Sequence, residues 1–259
     1  MNGKDIRINR LLHHNKMLCV PLDHGITMSE ISHLAKFKNA VNTIIANGAS
    51  SIVVHKGMVR FLPPLNNTGL IVHLSASTEK HKPVHKVIIC EVAEAVSIGA
   101  DAVSIHINLG NEYEKLMLAD FARISKDCQT YGMPLLAMMY IRDNDNKGIA
   151  NISSAKHSIR IASELGADIV KIDSNWNCEE LSSIIKDALI PVVVAGGDIL
   201  ERGEFYRRTA DLMNCGIFGV SFGRNIFMSE KPAETMANLA KIVYSETSTT
   251  SATPTIPSP

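Results

Sequence analysis

Eight short apolar runs recur along this chain, each closing on polar residues or glycine, and that recurrence constrains the fold more than any other feature. They begin at Met17 (MLCVPLDHG), Ser50 (SSIVVHKG), Leu70 (LIVHLSAS), Ala102 (AVSIHINLG), Leu135 (LLAMMYIR), Asp168 (DIVKIDSN), Pro191 (PVVVAGGD) and Gly219 (GVSFGRNIF). Near-continuous apolar, β-branched character marks strands buried on both faces, as in a parallel sheet covered by helices. The segments between them carry helical spacing. Val87, Ile88, Val92, Ala95 and Val96 form one predicted stripe, and Ile159, Ala162 and Leu165 another. After the second strand only about a turn of helix fits, from Met58 to Leu62, before Pro63-Pro64 breaks it. NGASSIVV, IGADAVSI, LGADIVKI and NCGIFGVSF repeat one unit, a glycine at a helix end followed by a buried strand. An open doubly wound sheet should show a GxGxxG turn after its first strand, and VPLDHGIT has none. The pattern predicts a single α/β domain, a (β/α)8 TIM barrel over residues 17–245. Residues 1–16 form an N-terminal extension, and the Ser/Thr/Pro-rich residues 246–259 a disordered tail.

Charge and cysteine content narrow the function. Lys plus Arg equals Asp plus Glu at 26 each, so no overall basic field draws in nucleic acid or an anionic membrane. No apolar stretch approaches the roughly 20 residues that span a bilayer. Nor does the N-terminus resemble a signal peptide. Cys19, Cys90, Cys128, Cys178 and Cys215 are odd in number and form no CxxC pair; they read as reduced core thiols of a cytoplasmic protein.

An active site in such a barrel gathers at the carboxyl ends of the strands. There the sequence places Asp23-His24, His55-Lys56, His73 and Ser75, His106 and Asn108, Tyr140 and Arg142, Lys171 and Asp173, Gly196-Gly197-Asp198 and Gly223-Arg224-Asn225. Lys171 lies between Val170 and Ile172, so alternation aims it into the barrel if those two face the helices. A dry interior lowers an amine's pKa and suits it to imine formation with a carbonyl. The competing reading is a lysine whose head pairs with an acid such as Asp23. Tyr140, ending the neighbouring strand, suits proton transfer there, or serves as a half-buried core phenol. Asp23 suits a base for a substrate hydroxyl, or a loop cap. The glycines of AGGD and FGRN open the two loops that commonly hold phosphate, with Arg224 adding a charge-assisted bond; they also suit plain turns. His24, His55, His73 and His106 raise the question of zinc, but no HxH or HxxxH spacing supports a metal site. The basic run from Lys80 to Lys86 reads as a solvated loop.

Taken in order, VPLDHG, VVHKG, LIVHLSAS, GADAVSIHINLG, MPLLAMMYIR, LGADIVKI, PVVVAGG and GVSFGRNIF resemble the archaeal-type class I fructose-bisphosphate aldolase family from Met17 to Val243. The resemblance implies Lys171 as the Schiff-base residue, Tyr140 as proton donor and Asp23 as proton acceptor, with no cofactor and no metal. It implies phosphosugar contacts at Asp23, His24, Gly25, Ile26 and Thr27, at Tyr140, Ile141 and Arg142, at Lys171, at Gly196 and Gly197, and at Gly223 and Arg224. The substrates implied are a phosphorylated ketose and a small aldehyde. The branch it most resembles uses L-aspartate semialdehyde to make a 2-amino-heptulosonate. Competing branches condense dihydroxyacetone phosphate with that semialdehyde or cleave fructose 1,6-bisphosphate. Homo-oligomers, decamers among them, are implied too. Three departures touch the pocket wall: Ile-Asp-Ser-Asn after the lysine, Ile-Arg-Asp where Pro-Arg-Gly is common, and HLSAS in place of an HLSGG-type loop.

Overall fold

The structure, a computed structural model, describes residues 3–27, 37–79, 84–148 and 151–245. The tail from 246 onward and Lys80–Pro83 of the basic run lie outside the described residues.

Eight parallel strands close into a ring in sequence order. They are β1 (Met17–Pro21), β2 (Ser51–Val54), β3 (Gly69–His73), β4 (Ala102–Leu109), β5 (Leu135–Ile141), β6 (Ile169–Ile172), β7 (Val192–Ala195) and β8 (Gly219–Ser221). β1 pairs with both β2 and β8, and Cys19 faces Ser51 on one side and Ser221 on the other. Around the ring run α1 (Gly3–Asn9), α2 (His24–Thr27), α3 (Phe37–Ala46), α4 (Val92–Ser97), α5 (Glu114–Tyr131), α6 (Ile152–Glu164), α7 (Cys178–Lys186), α8 (Arg202–Asn214), α9 (Arg224–Phe227) and α10 (Pro232–Val243). The short link after β2 is a 3₁₀ helix, Lys56–Phe61, as Pro63-Pro64 requires. None of the described helices is long and apolar enough to cross a membrane.

Strand alternation divides the apolar residues into two cores. Outward residues such as Val103, Ala137, Val170 and Val194 pack under the helices with Phe121, Ile159 and Leu239. Inward residues Met17, Cys19, Val53, Ile71, Leu136, Met138, Ile169 and Val193 fill the cylinder. Leu11 joins this inner set with no exposed surface. The N-terminal segment therefore closes the floor of the barrel. Lys4 on α1 pairs with Asp168 at 2.9 Å, and Arg7 donates to the Ala100 carbonyl.

Two sequence expectations need correction. Val87 and Ile88 do not begin a helix. They pair antiparallel with Ser75–Ala76 in a small ribbon over the β3 loop, and Val87 is exposed; the α4 stripe starts only at Val92. The cysteines are not all reduced core thiols. Cys19, Cys90 and Cys128 are buried and free, whereas Cys178 at the start of α7 is bonded to Cys215 just past α8. These two lie 37 residues apart in sequence, and only the packing of the helical layer brings their Cα atoms to 5.6 Å.

Ring closure leaves no room for a side chain at Gly219. A Cβ there would stand 2.2 Å from the Met17 carbonyl oxygen and 2.6 Å from the Met17 Cβ. Gly219→Ala should therefore push β8 from β1 and cost about 1–3 kcal/mol of stability, read as a lower urea midpoint.

Candidate active site

Inward alternation carries Lys171 into the cylinder, level with Met138 on β5 and Val193 on β7, while Val170 and Ile172 face the helices. Its side chain is buried beneath a cleft of about 240 Å3 at the carboxyl ends of the strands. Its amine shares the cleft wall with the Tyr140 phenol and lies in the field of that group and of the Asp23 carboxylate. The Tyr140 ring leans on His106, centroids 4.7 Å apart, and the Arg142 guanidinium lies 5.0 Å above it.

Asp23 sits where β1 ends, ringed by histidines. His73 Nε2 and His24 Nδ1 approach its carboxylate to 3.8 and 3.7 Å, and His55 Nε2 contacts its backbone oxygen at 3.1 Å. Ser104 holds the far nitrogen of His73 at 2.8 Å. Burial would raise the Asp23 pKa, but His73, His24 and Lys171 together hold it well below the usual carboxylate range. Among the described residues, no set of three His, Cys, Asp or Glu side chains is arranged to hold a metal ion.

The expected fall in the Lys171 pKa is not what the site produces. Desolvation does pull it down, but Tyr140 and the Asp23 carboxylate outweigh that and hold the ammonium above the ordinary lysine value. Lys171 is thus held as a cation.

Across the mouth, the loops after β7 and β8 fold against each other. Arg224 donates to the Gly197 carbonyl at 2.9 Å, and Asn225 to Asp198 at 2.9 Å. Gly197 has φ +64, and a Cβ on it would strike Ser174 Oγ at 2.3 Å; one on Gly223 would stand 2.8 Å from His24. These glycines are demanded by close packing. Both line the cleft, and among the described residues neither amide donates to a backbone carbonyl.

The cleft thus gathers His24, Tyr140, Arg142, Lys171, Gly196, Gly197, Gly223 and Arg224. Asp23 lies beside it, within the histidine ring. Others named by the resemblance stand apart. Gly25 and Ile26 are exposed on α2, and Thr27 ends that helix. Ile141 turns to the helical side, beside Trp176 and Ala155, as the residue after an inward Tyr140 must. Asp173, His106 and Asn225, which the sequence places at this end of the strands without a role, line the cleft as well, and Asp173 accepts two bonds from Arg142 at 2.8 and 3.1 Å. Ser221 was not singled out by its sequence, although alternation along β8 aims it inward with Cys19 and Ser51 beside it. Lys86 is a correction. It is no solvated loop residue: it is 8% exposed, donates to Ser77 Oγ at 2.5 Å and lies in the field of Asp23, Arg142 and His106.

Fold and site together define an aldolase of the barrel class, with an amine buried at the open end. The chain belongs to the DeoC/LacD family of aldolases, whose sequence profile matches residues 17–229. It is 37% identical to 2-amino-3,7-dideoxy-D-threo-hept-6-ulosonate synthase 1 of Archaeoglobus fulgidus, across 94% of this chain and 92% of that one. It is 34% identical to 2-amino-4,5-dihydroxy-6-oxo-7-(phosphonooxy)heptanoate synthase of Streptomyces griseus, across 93% and 90%. Among solved structures it superposes on an archaeal fructose-1,6-bisphosphate aldolase whose catalytic lysine carries a carbinolamine. The TM-score is 0.82 at 25% identity, covering 94% of this chain and all of that one.

The buried histidines set an acid limit. Burial pushes His73 down to about 4 from 6.5, His106 well below its ordinary value, and His24 below it as well. Each ring favours the neutral form in the folded chain. The unfolded state therefore binds more protons, and stability falls as pH drops from 6.5 toward 4. Tm should decline over that window, and His73→Gln should flatten part of the slope, both measurable by calorimetry.

Proposed function

We propose that this chain is a class I aldolase that joins a fragment of a phosphorylated ketose, held as an imine on Lys171, to L-aspartate semialdehyde, giving a 2-amino-heptulosonate-type product. The observation that carries this reading is the Lys171 amine, buried in the cylinder against the Tyr140 phenol, with one open side toward the cleft. Lys171 gives up its extra proton to solvent, and the free amine attacks the ketone carbon and forms a carbinolamine; Tyr140 passes a proton to the carbinolamine hydroxyl, which leaves as water and gives the iminium. Asp23, a carboxylate at every working pH, stabilises that cation and takes the hydroxyl proton of the substrate as the C–C bond breaks. The cleaved aldehyde fragment departs; the enamine left behind attacks the incoming aldehyde, whose oxygen takes up the proton held by Asp23, and hydrolysis of the resulting iminium frees Lys171. The phosphate rests on the amides of Gly197 and Gly223 and on Arg224.

A second reading is supported by the Streptomyces griseus relative, whose named product keeps a phosphonooxy group: condensation of dihydroxyacetone phosphate with the same semialdehyde. Crossed assays of ketose phosphates against aspartate semialdehyde, with products read by mass, separate the two.

Borohydride added with a ketose phosphate should fix a stable adduct on the peptide carrying Lys171. Lys171→Met should abolish it; persistence of the adduct would move the imine to another lysine. Tyr140→Phe should slow trapping by about 100-fold or more, the usual weight of a positioned proton donor, while leaving the phosphate-dependent KM nearly unchanged. Because the resting amine is protonated, kcat/KM for the ketose should climb from pH 7 toward 9, whereas a depressed lysine would already give a flat profile there.

A further inference from the structure

The ring order places the β3 and β4 loops diametrically opposite the β7 and β8 loops. One side of the mouth carries Gly197, Gly223 and Arg224. The other carries His73, His106 and, on the ribbon folded over them, Lys86. We propose that Lys86 is the anchor for the anionic end of the acceptor aldehyde, so that the enzyme selects acceptors bearing a carboxylate or a phosphate. This inference rests on the aldolase reading above.

Four observations carry it. The Lys86 ammonium is buried, yet its hydrogen-bond partner among the described residues is a neutral hydroxyl, Ser77 Oγ, and no described carboxylate forms an ion pair with it. The Asp23 carboxylate acts on it only through space, without an ion pair, so burial of this cation stays costly until an anion joins it. Of the two described arginines of the mouth, Arg142 is forked onto Asp173, and Arg224 stands on the opposite rim beside Gly197. The position of Lys86 is also built. Val84 accepts from the Asn108 amide at 2.7 Å, His85 stacks on Tyr113 with ring centroids 4.5 Å apart, and Val87 pairs with Ala76. Asn108 in turn contacts His106 at 2.9 Å, which ties the ribbon to the cleft wall. Burial also lowers the Lys86 pKa to about 8, so it still carries its charge at neutral pH.

A donor fixed at Lys171 with its phosphate toward β7 and β8 leaves the β3–β4 side for the second substrate. An aldehyde entering there meets Tyr140 and His106 at its reactive end and Lys86 at its far end. Lys86 touches none of the atoms that react with Lys171. It is a specificity residue, and its loss should appear in acceptor KM.

The test uses Lys86→Met and Lys86→Arg in the full chain, with whichever ketose phosphate traps on Lys171 as donor. Three acceptors are compared: aspartate semialdehyde, glyceraldehyde 3-phosphate and uncharged propionaldehyde. Lys86→Met should raise KM for a charged acceptor at least about tenfold, with Lys86→Arg restoring most of the loss and propionaldehyde affected little. The arm that suffers more identifies the anion as carboxylate or phosphate. Borohydride trapping of the donor reports that the variants are folded. Should Lys86→Met misfold, Lys86→Gln, which keeps a polar head for Ser77 Oγ but no charge, takes its place with the same expected rise in KM for the charged acceptors. Equal losses on all three acceptors, or no change on any, would overturn the assignment of Lys86 while leaving the imine reading intact. Failure of the wild type to trap any ketose phosphate would instead take down both.

Discussion

Everything in this molecule depends on the closure of β1 against β8, because closure is what gives the strands an inside. An open sheet would offer alternate residues two equivalent helical faces. A cylinder turns one face into a dry, narrow volume and forces whatever projects there to be buried. Met17, Met138, Ile169 and Val193 accept that burial without cost. Lys171 does not, and its presence among them is explicable only by the groups above it. The bare glycine at 219, pressed against the Met17 backbone, is the seam of that closure.

Electrostatics at the mouth is arranged around two opposite charges that stay charged. Burial disfavours the charged forms of His73 and His24 beside Asp23, which leaves Asp23 as the local anion. Tyr140 and Asp23 in turn keep Lys171 protonated until a carbonyl arrives. Lys171 and Asp23 thus form a buried zwitterion. It tolerates burial because its charges compensate each other, and a substrate that forms an iminium preserves that balance: the positive charge remains, on nitrogen, beside the same carboxylate. A neutral lysine in the resting enzyme would have left Asp23 uncompensated.

Much of this was legible in the residues. Eight runs of buried-strand character, a glycine before most of them and polar groups at their far ends require little more than periodicity to yield a barrel and the end that works. The inward aim of Lys171 followed from its neighbours Val170 and Ile172. What could not be read depended on contacts between distant segments. Cys178 and Cys215 meet only because two helices pack side by side. Lys86 looks solvated in KHKPVHK, and becomes buried only because Val87 and Ile88 leave their helical pattern to pair with Ser75–Ala76. The Lys171 pKa went the other way from the sequence expectation for the same reason: burial is visible in a strand, but the compensating phenol and carboxylate come from other strands. Ile141 shows the reverse failure, a motif neighbour that alternation itself assigns to the helical side.

The N-terminal segment has a consequence for traffic through the barrel. With Leu11 seated in the inner core and α1 tied across the floor by Lys4 and Arg7, the molecule is a cup with one lip rather than a tube with two openings. With the inner core filled beneath Lys171, sugar, aldehyde, product and the water shed in each condensation all use the same lip, and whatever enters there must leave there.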